Sequence, residues 1–348
     1  MKKEEKQYYG GQALIEGVMM RGKHNFCIAI RKADGSIKLI NDKLKTITDK
    51  YKIFQTPFIR GIIVLWENLI IGTKALIISA NEALPDEEKE EKSQKLGGFS
   101  VFMSVAIAIL LGFGLFVALP NIIFELIGIN PITDVILYNT VAGITRIIMF
   151  ILYVMLISLM KDVRRLFMYH GAEHRAINSY EKEEELIPEN VQKHTTYHPR
   201  CGTSFMFFVL LVAIFMGVLL TVGLTFFDWF SALSHSDNWL NRVYRQAVLI
   251  PAHLALLPLI AGISYELIKF SFRMQNNPIV QLLALPGKWI QKITTKAPTD
   301  DMAEVAIAAL KSAIEEANII IADKNEAESD TKVDNLSNNA VEGKMATS

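Results

Sequence analysis

The chain has 348 residues, with 36 basic and 36 acidic side chains and an apolar fraction of 51%. A positive mean hydropathy without net charge fits an integral membrane protein, and no basic stripe points to nucleic acid. Only two cysteines, Cys27 and Cys201, occur far apart, which argues against a disulfide framework and for a reducing compartment.

The start, Met1 to Lys6, is charged and not closely followed by an apolar run, so it does not read as a signal peptide. Residues 8–40, within a unit of residues 1–50, read as a small extramembrane β-element. Phe26 to Arg31 and Ser36 to Ile40 are two short strands around the hairpin signal Ala33-Asp34-Gly35. Gly10, Gly11 and Gly17 read as turn or close-approach residues, and Glu16 and Arg21 among them as candidates to line a site. Residues 57–80 form an apolar helix with Arg60, Glu67 and Lys74 spaced seven apart, one charged stripe on a greasy cylinder. That pattern favours an amphipathic helix in the interface over a span, because central charges are costly in lipid. A charged linker closes this unit of residues 51–98.

The membrane domain is read as residues 99–270. Four apolar runs, at about 99–119, 135–160, 203–226 and 247–268, each reach the roughly 20 residues that cross a bilayer. The segment 161–202 carries Lys161, Arg164, Arg165, Arg175, Lys182, Lys193 and Arg200, whereas the loop 120–134 has no Lys or Arg. The positive-inside rule therefore puts this segment and both termini in the cytosol of a bacterial inner-membrane, multi-pass protein. Residues 271–322 form a C-terminal helical segment, with an amphipathic helix over 300–321. The polar tail 323–348 reads as disordered. The expected fold class is thus mainly α: four transmembrane helices, one amphipathic interfacial helix and a small N-terminal β-hairpin element.

The chemistry concentrates at His170-Gly171-Ala172-Glu173-His174. Positions four apart on a helix share a face, so two imidazoles can grip one divalent metal, with zinc the best match to this ligand type. Glu173 shares that face and is the candidate catalytic base for an activated water; His-x-x-Glu-His is the inverted zinc-protease order. The same segment holds four of the seven histidines, and His198 and Cys201 stand three apart in it. Glu266, near the cytosolic end of the last span, is the leading candidate for the third ligand, since a carboxylate there needs a partner, and His198 or Cys201 could replace it. A salt bridge to Arg164, Arg165 or Lys269 is the competing role for Glu266. A site using His170, His174, His198 and Cys201 together would be closed and structural. His253 and Arg146, ionisable groups inside spans, are functional candidates by default; His253 reads rather as a helix-to-helix hydrogen bond, and Arg146 alternatively as a partner for Asp134 or Glu125.

Five stretches, Tyr9 to Gly22, Tyr169 to Arg175, His198 to Ser204, Gly262 to Glu266 and Thr294 to Leu310, resemble the bacterial membrane-protein family catalogued as domain of unknown function 1385. The resemblance covers roughly residues 8–315 and implies a multi-pass membrane protein, sometimes described as metal-dependent, without implying a reaction. Residues and resemblance together lead to a metal-dependent membrane enzyme, most simply a hydrolase acting on a membrane-embedded or membrane-surface substrate. The alternative is a non-enzymatic scaffold or assembly factor with a structural His/Cys site. A transporter lacks support from any paired broken-helix repeat. The lipid bilayer is the one expected partner; protein partners and oligomeric state are left open.

Overall fold

The computed structural model describes residues 7–44, 46–85, 98–126, 135–234, 238–274 and 276–345. The charged linker and most of the loop 120–134 lie outside the described residues.

The N-terminal unit is an antiparallel meander of four strands: β1 (Gly10–Leu14), β2 (Gly17–Arg21), β3 (Asn25–Arg31) and β4 (Ile37–Lys43). The expected hairpin is β3–β4, turned at Gly35 with a positive φ of 84°. The glycine-rich stretch, read as turn or close-approach residues, is itself two strands in which Gly11 and Gly17 are close-approach positions. Glycine is disfavoured in strands by propensity but belongs where another chain approaches closely. A Cβ on Gly17 would sit 2.4 Å from the Ala29 carbonyl oxygen, and one on Gly11 would sit 2.7 Å from Glu173 Cγ.

Alternation along β2 and β3 gives the sheet two buried faces. Val18, Met20, Cys27 and Ala29 pack on one side against α6 (Lys161–Glu181) and α12 (Asp300–Met345). Met19, Phe26, Ile28 and Ile30 pack on the other against Ile71, Ala75 and Ile78 of α2 (Ile59–Glu82), which follows the short helix α1 (Ile47–Lys50). Asn25 ties the sheet to α12, its Nδ2 donating to the Ala313 carbonyl at 2.8 Å. Segments far apart in sequence therefore build one three-layer domain.

Four helices among the described residues are long and apolar enough to cross a membrane: Ile59–Glu82, Leu137–Ile157, Gly202–Thr225 and Val243–Arg273. The last three match expected spans and belong to α5 (Val135–Ile157), α8 (Gly202–Thr225) and α10 (Trp239–Arg273). They interlock through small residues: Ile214 fills the space beside Gly143, and the His253 ring lies against Gly217. The first qualifies by length and composition, but its second half lies on the sheet and Glu82 pairs with Lys38 of β4. Its outward face exposes Trp66, Leu69, Ile70 and Ile77. Its first half packs along α10, with Gly61 against Tyr265 and Arg60 paired to Glu266. The expected first run, 99–119, is helical over α3 (Gly98–Phe113) and a following π-turn, and α4 (Leu119–Leu126) continues it.

Between α5 and α8 the chain is largely helical rather than a loop, comprising α6 and α7 (Pro188–Lys193). After α9 (Asp228–Ser234) and α10, helix α11 (Pro278–Thr294) starts with Asn277 as its cap, the side chain accepting from Ile279 N. It turns Val280, Gly287, Ile290 and Gln291 inward and leaves Ile279, Leu282, Leu283 and Trp289 exposed. Helix α12 continues to Met345, through the tail expected to be disordered. Packing fixes its first turns, and extending an existing helix requires little beyond the nucleation already met.

Candidate metal centre

Helix α6 buries Tyr169, Ala172, Ala176 and Ile177 against the sheet, at the 3–4 spacing of one helix face. This orientation turns His170 and His174 toward the start of α8, where Cys201 is the N-cap. The ring centroids of His170 and His174 are 4.5 Å apart. One nitrogen of each and the Cys201 sulfur lie within 4.8 Å of one another. Cys201 Sγ is 3.3 Å from His170 Nε2 and accepts from Thr203 N at 3.4 Å, so helix-start amide dipoles point at the sulfur.

Backbone carbonyls set the orientation of both rings. His170 Nδ1 is 2.9 Å from the Thr294 carbonyl oxygen, and His174 Nδ1 bonds the Thr196 carbonyl. A carbonyl only accepts, so each Nδ1 carries the proton and each Nε2 presents a bare lone pair. That is the tautomer metal ligation requires, held by the outer hydrogen bonds that metal-binding histidines make. Gly171 makes the first of these contacts possible: a Cβ there would meet the Lys296 carbonyl oxygen at 1.9 Å. Lys296 N in turn donates to the Phe167 carbonyl at 2.9 Å, fastening the segment after α11 along α6.

Glu173 sits between the sheet and this cluster, 4% exposed. Its Oε2 is 3.8 Å from His170 Nε2 and 3.9 Å from His174 Nε2. Burial pushes its carboxyl up to about 7, against the opposing pull of His170 and of the backbone N–H of Gly11. The carboxyl thus gains or loses a proton near neutrality, as a general base requires.

The structure brings His170, His174, Cys201 and Glu173 together. His198 stands beside them, its ring 5.7 Å from that of His174, but outside the group whose ligand atoms converge. It is buried, its pKa is lowered by that burial, and its Nε2 lies 3.7 Å from Glu181 Oε1. Glu266 is not brought to the centre. Arg60 takes its carboxylate in a two-pronged pair, Nε donating to Oε1 at 2.7 Å. The partner is a residue of α2, not Arg164, Arg165 or Lys269 as the sequence suggested. Pairing answers the need that made Glu266 attractive as a ligand. Glu16 accepts from Arg165 and from Tyr169 Oη, and Arg21 bonds Asn68 beside Glu67. His253 bonds the Leu249 carbonyl of its own helix, and Arg146 the Phe116 carbonyl; the side chains of Asp134 and Glu125 lie outside the described residues.

Sequence reasoning missed the contributions of Thr196 and Thr294, which act through backbone carbonyls and leave no side-chain signature. It also missed Gln291, whose Oε1 accepts from His198 N and whose Nε2 donates to His198 O, both at 3.0 Å, and to Ser204 Oγ at 2.7 Å. Gln291 is 1% exposed, and nothing in the sequence of the C-terminal helical segment set this amide apart from its neighbours.

Comparison with known proteins agrees with the resemblance. The chain is 33% identical over 311 residues to the uncharacterized protein YqhQ of Bacillus subtilis (strain 168), covering 86% of this chain and 90% of that protein. No solved structure matches the chain. The model of a protein family of unknown function, DUF1385, matches residues 56–316. With three quarters of its length matched, from α2 through the packed part of α12 and including the whole centre, the chain belongs to the DUF1385 family.

Proposed function

We propose that this protein is a metal-dependent enzyme of the membrane surface, most simply a hydrolase, with His170, His174 and Cys201 as ligands and Glu173 as proton acceptor. The observation that carries the reading is the convergence of two bare Nε2 atoms and a thiol around one point, with a buried carboxylate facing both imidazoles. The donor set suits zinc. A bound ion would supply Lewis-acid polarisation and ease the loss of a proton from water. The chain's own part is to hold both rings by their Nδ1 protons, to exclude bulk water, and to accept a proton at Glu173 Oε2. The lysine and arginine excess on the segment between α5 and α8 supports a cytosolic position for the three-layer domain and both termini, in a bacterial inner membrane.

The test is metal analysis of the full chain purified without chelators. Wild-type protein should carry about one ion per chain, and His170→Ala, His174→Ala and Cys201→Ala should lose it. Wild-type protein without stoichiometric metal overturns the reading.

Burial favours a second reading. His174 and Cys201, like Glu173 and His198, are nearly inaccessible, as in a closed structural site that clips α6 to α8 in a scaffold or assembly factor. Glu173→Gln separates the two. Both readings expect it to keep the metal; only the enzyme reading expects it to abolish hydrolysis of membrane lipids or peptides, followed by mass spectrometry of the products.

A further inference from the structure

A cleft of about 250 Å³ opens beside the centre, between the start of α8, the end of α10 and the face of α11. Its apolar lining is Phe208, Ile268, Phe272, Val280 and Ala284, and its polar lining includes Tyr197, Ser204, Ser271, Asn276, Gln281 and Lys288. Lys288 Nζ lies 4.9 Å from the centre of the Tyr197 ring. No Asp or Glu lines the cleft.

Lys288 is the charged side chain of the cleft's lining, and Arg200, paired with Glu181, reaches its edge over the Phe272 ring. The cleft lies where the apolar helices α8 and α10 meet the three-layer domain. Beside it, α11 exposes Ile279, Leu282, Leu283 and Trp289, an apolar face ending in a tryptophan, as helices lying at a membrane surface present. The volume falls just below the roughly 300–1,000 Å³ of small-molecule pockets, so it accommodates part of an amphiphile rather than a whole lipid.

We infer that this cleft seats the head-proximal end of an anionic membrane lipid, with its acyl chain along Phe208 and Ile268 and its headgroup at Lys288. The cleft communicates with the centre through one buried amide. Ser204 on its wall accepts from Gln291, which also holds the His198 backbone three residues before Cys201. As an account of the substrate class, the inference rests on the proposed enzyme function; as a lipid site it stands on the cleft alone.

The experiment uses the full chain in nanodiscs containing photoactivatable phosphatidylglycerol or the matching phosphatidylcholine, with labelled peptides read by mass spectrometry. Label should concentrate on the peptides carrying Phe208, Ile268 to Phe272 and Val280 to Lys288, favouring phosphatidylglycerol by about fivefold, the scale of one basic side chain at an anionic surface. Ala284→Trp, which fills the cleft, should remove most of the label, and Lys288→Glu should abolish the headgroup preference while leaving phosphatidylcholine labelling in place. Wild-type label spread evenly over the apolar helices overturns the inference, as does competition by millimolar inorganic phosphate, which would make the site one for a soluble anion. His174→Ala is the arm that separates the two readings. Cleft labelling that persists there while metal is lost supports the lipid site independently of the metal, and labelling lost in His174→Ala with intact fold overturns that independence.

Discussion

Glu173, in the middle of the polar helix α6, and Glu266, near the end of the apolar helix α10, are both carboxylates that from sequence belong to one centre. The fold treats them oppositely. Glu266 meets a guanidinium that matches it in charge and geometry, leaving no unmet demand for a cation. Glu173 is buried beside two imidazole rings and the glycine strand, where the Gly11 N–H reaches it but burial still favours its protonated form. An acidic residue at a membrane edge is therefore informative about function only after its partner is known.

The contrast is broken most severely at the ligands. His174→Ala should lower metal affinity by more than the roughly 10–100-fold that follows loss of an outer hydrogen bond to a ligand, as read by competition with a chromogenic chelator. Glu266→Gln should leave metal content unchanged; a loss of metal there would put Glu266 back in the centre.

Next in size is the pH dependence of the metal-free protein. Glu173 titrates at about 7 when folded, against an ordinary value of 4.5. Below pH 4.5 both states hold the proton and the residue has no effect. As pH rises toward 7 the unfolded chain releases a proton that the folded protein keeps, so stability falls, reaching a loss of about 3 kcal/mol above 7. Glu173→Gln removes that dependence: stripped of metal, the variant should be more stable than wild type at pH 8 and comparable at pH 4 in denaturant titrations. Equal curves at pH 8 would show that Glu173 is not the isolated acid described.

Gly171→Ala forces a methyl group into the Lys296 carbonyl and should destabilise by roughly 1–3 kcal/mol, the scale of overpacking, while weakening metal binding through the displaced Thr294 carbonyl. A variant with unchanged thermal midpoint and metal content would remove that role. Glu266→Gln leaves Arg60 without its carboxylate; both partners keep some solvent contact, so a loss of about 1–2 kcal/mol is expected, below that for a fully buried pair. The smallest effect belongs to Arg165→Met at the open end of α6. Its pair with Glu16 is nearly half exposed on the arginine side, and a change under about 1 kcal/mol is expected despite the two-pronged geometry.

Much of this protein is fixed by local chemistry and is legible in one dimension. The apolar runs of α5, α8 and α10 follow from length and hydropathy, because lipid demands about 20 apolar residues whatever they touch. The β3–β4 hairpin follows from its turn. The His170–His174 pair follows from the helical repeat, and Glu173 with it. Cys201 was legible as one of several possible ligands. Tertiary structure alone decided the remainder, because each decision depended on a partner distant in sequence. The glycines at 11 and 17 became strand residues because Glu173 and Ala29 press on them. The second half of α2 lies on the sheet and its first half on α10, although the helix by length and composition alone is apolar enough for a span. Arg60, 206 residues from Glu266, removed it from the centre. The tautomers of His170 and His174 were set by carbonyls of Thr294 and Thr196, and a backbone oxygen, common to every residue, carries no signature in a sequence.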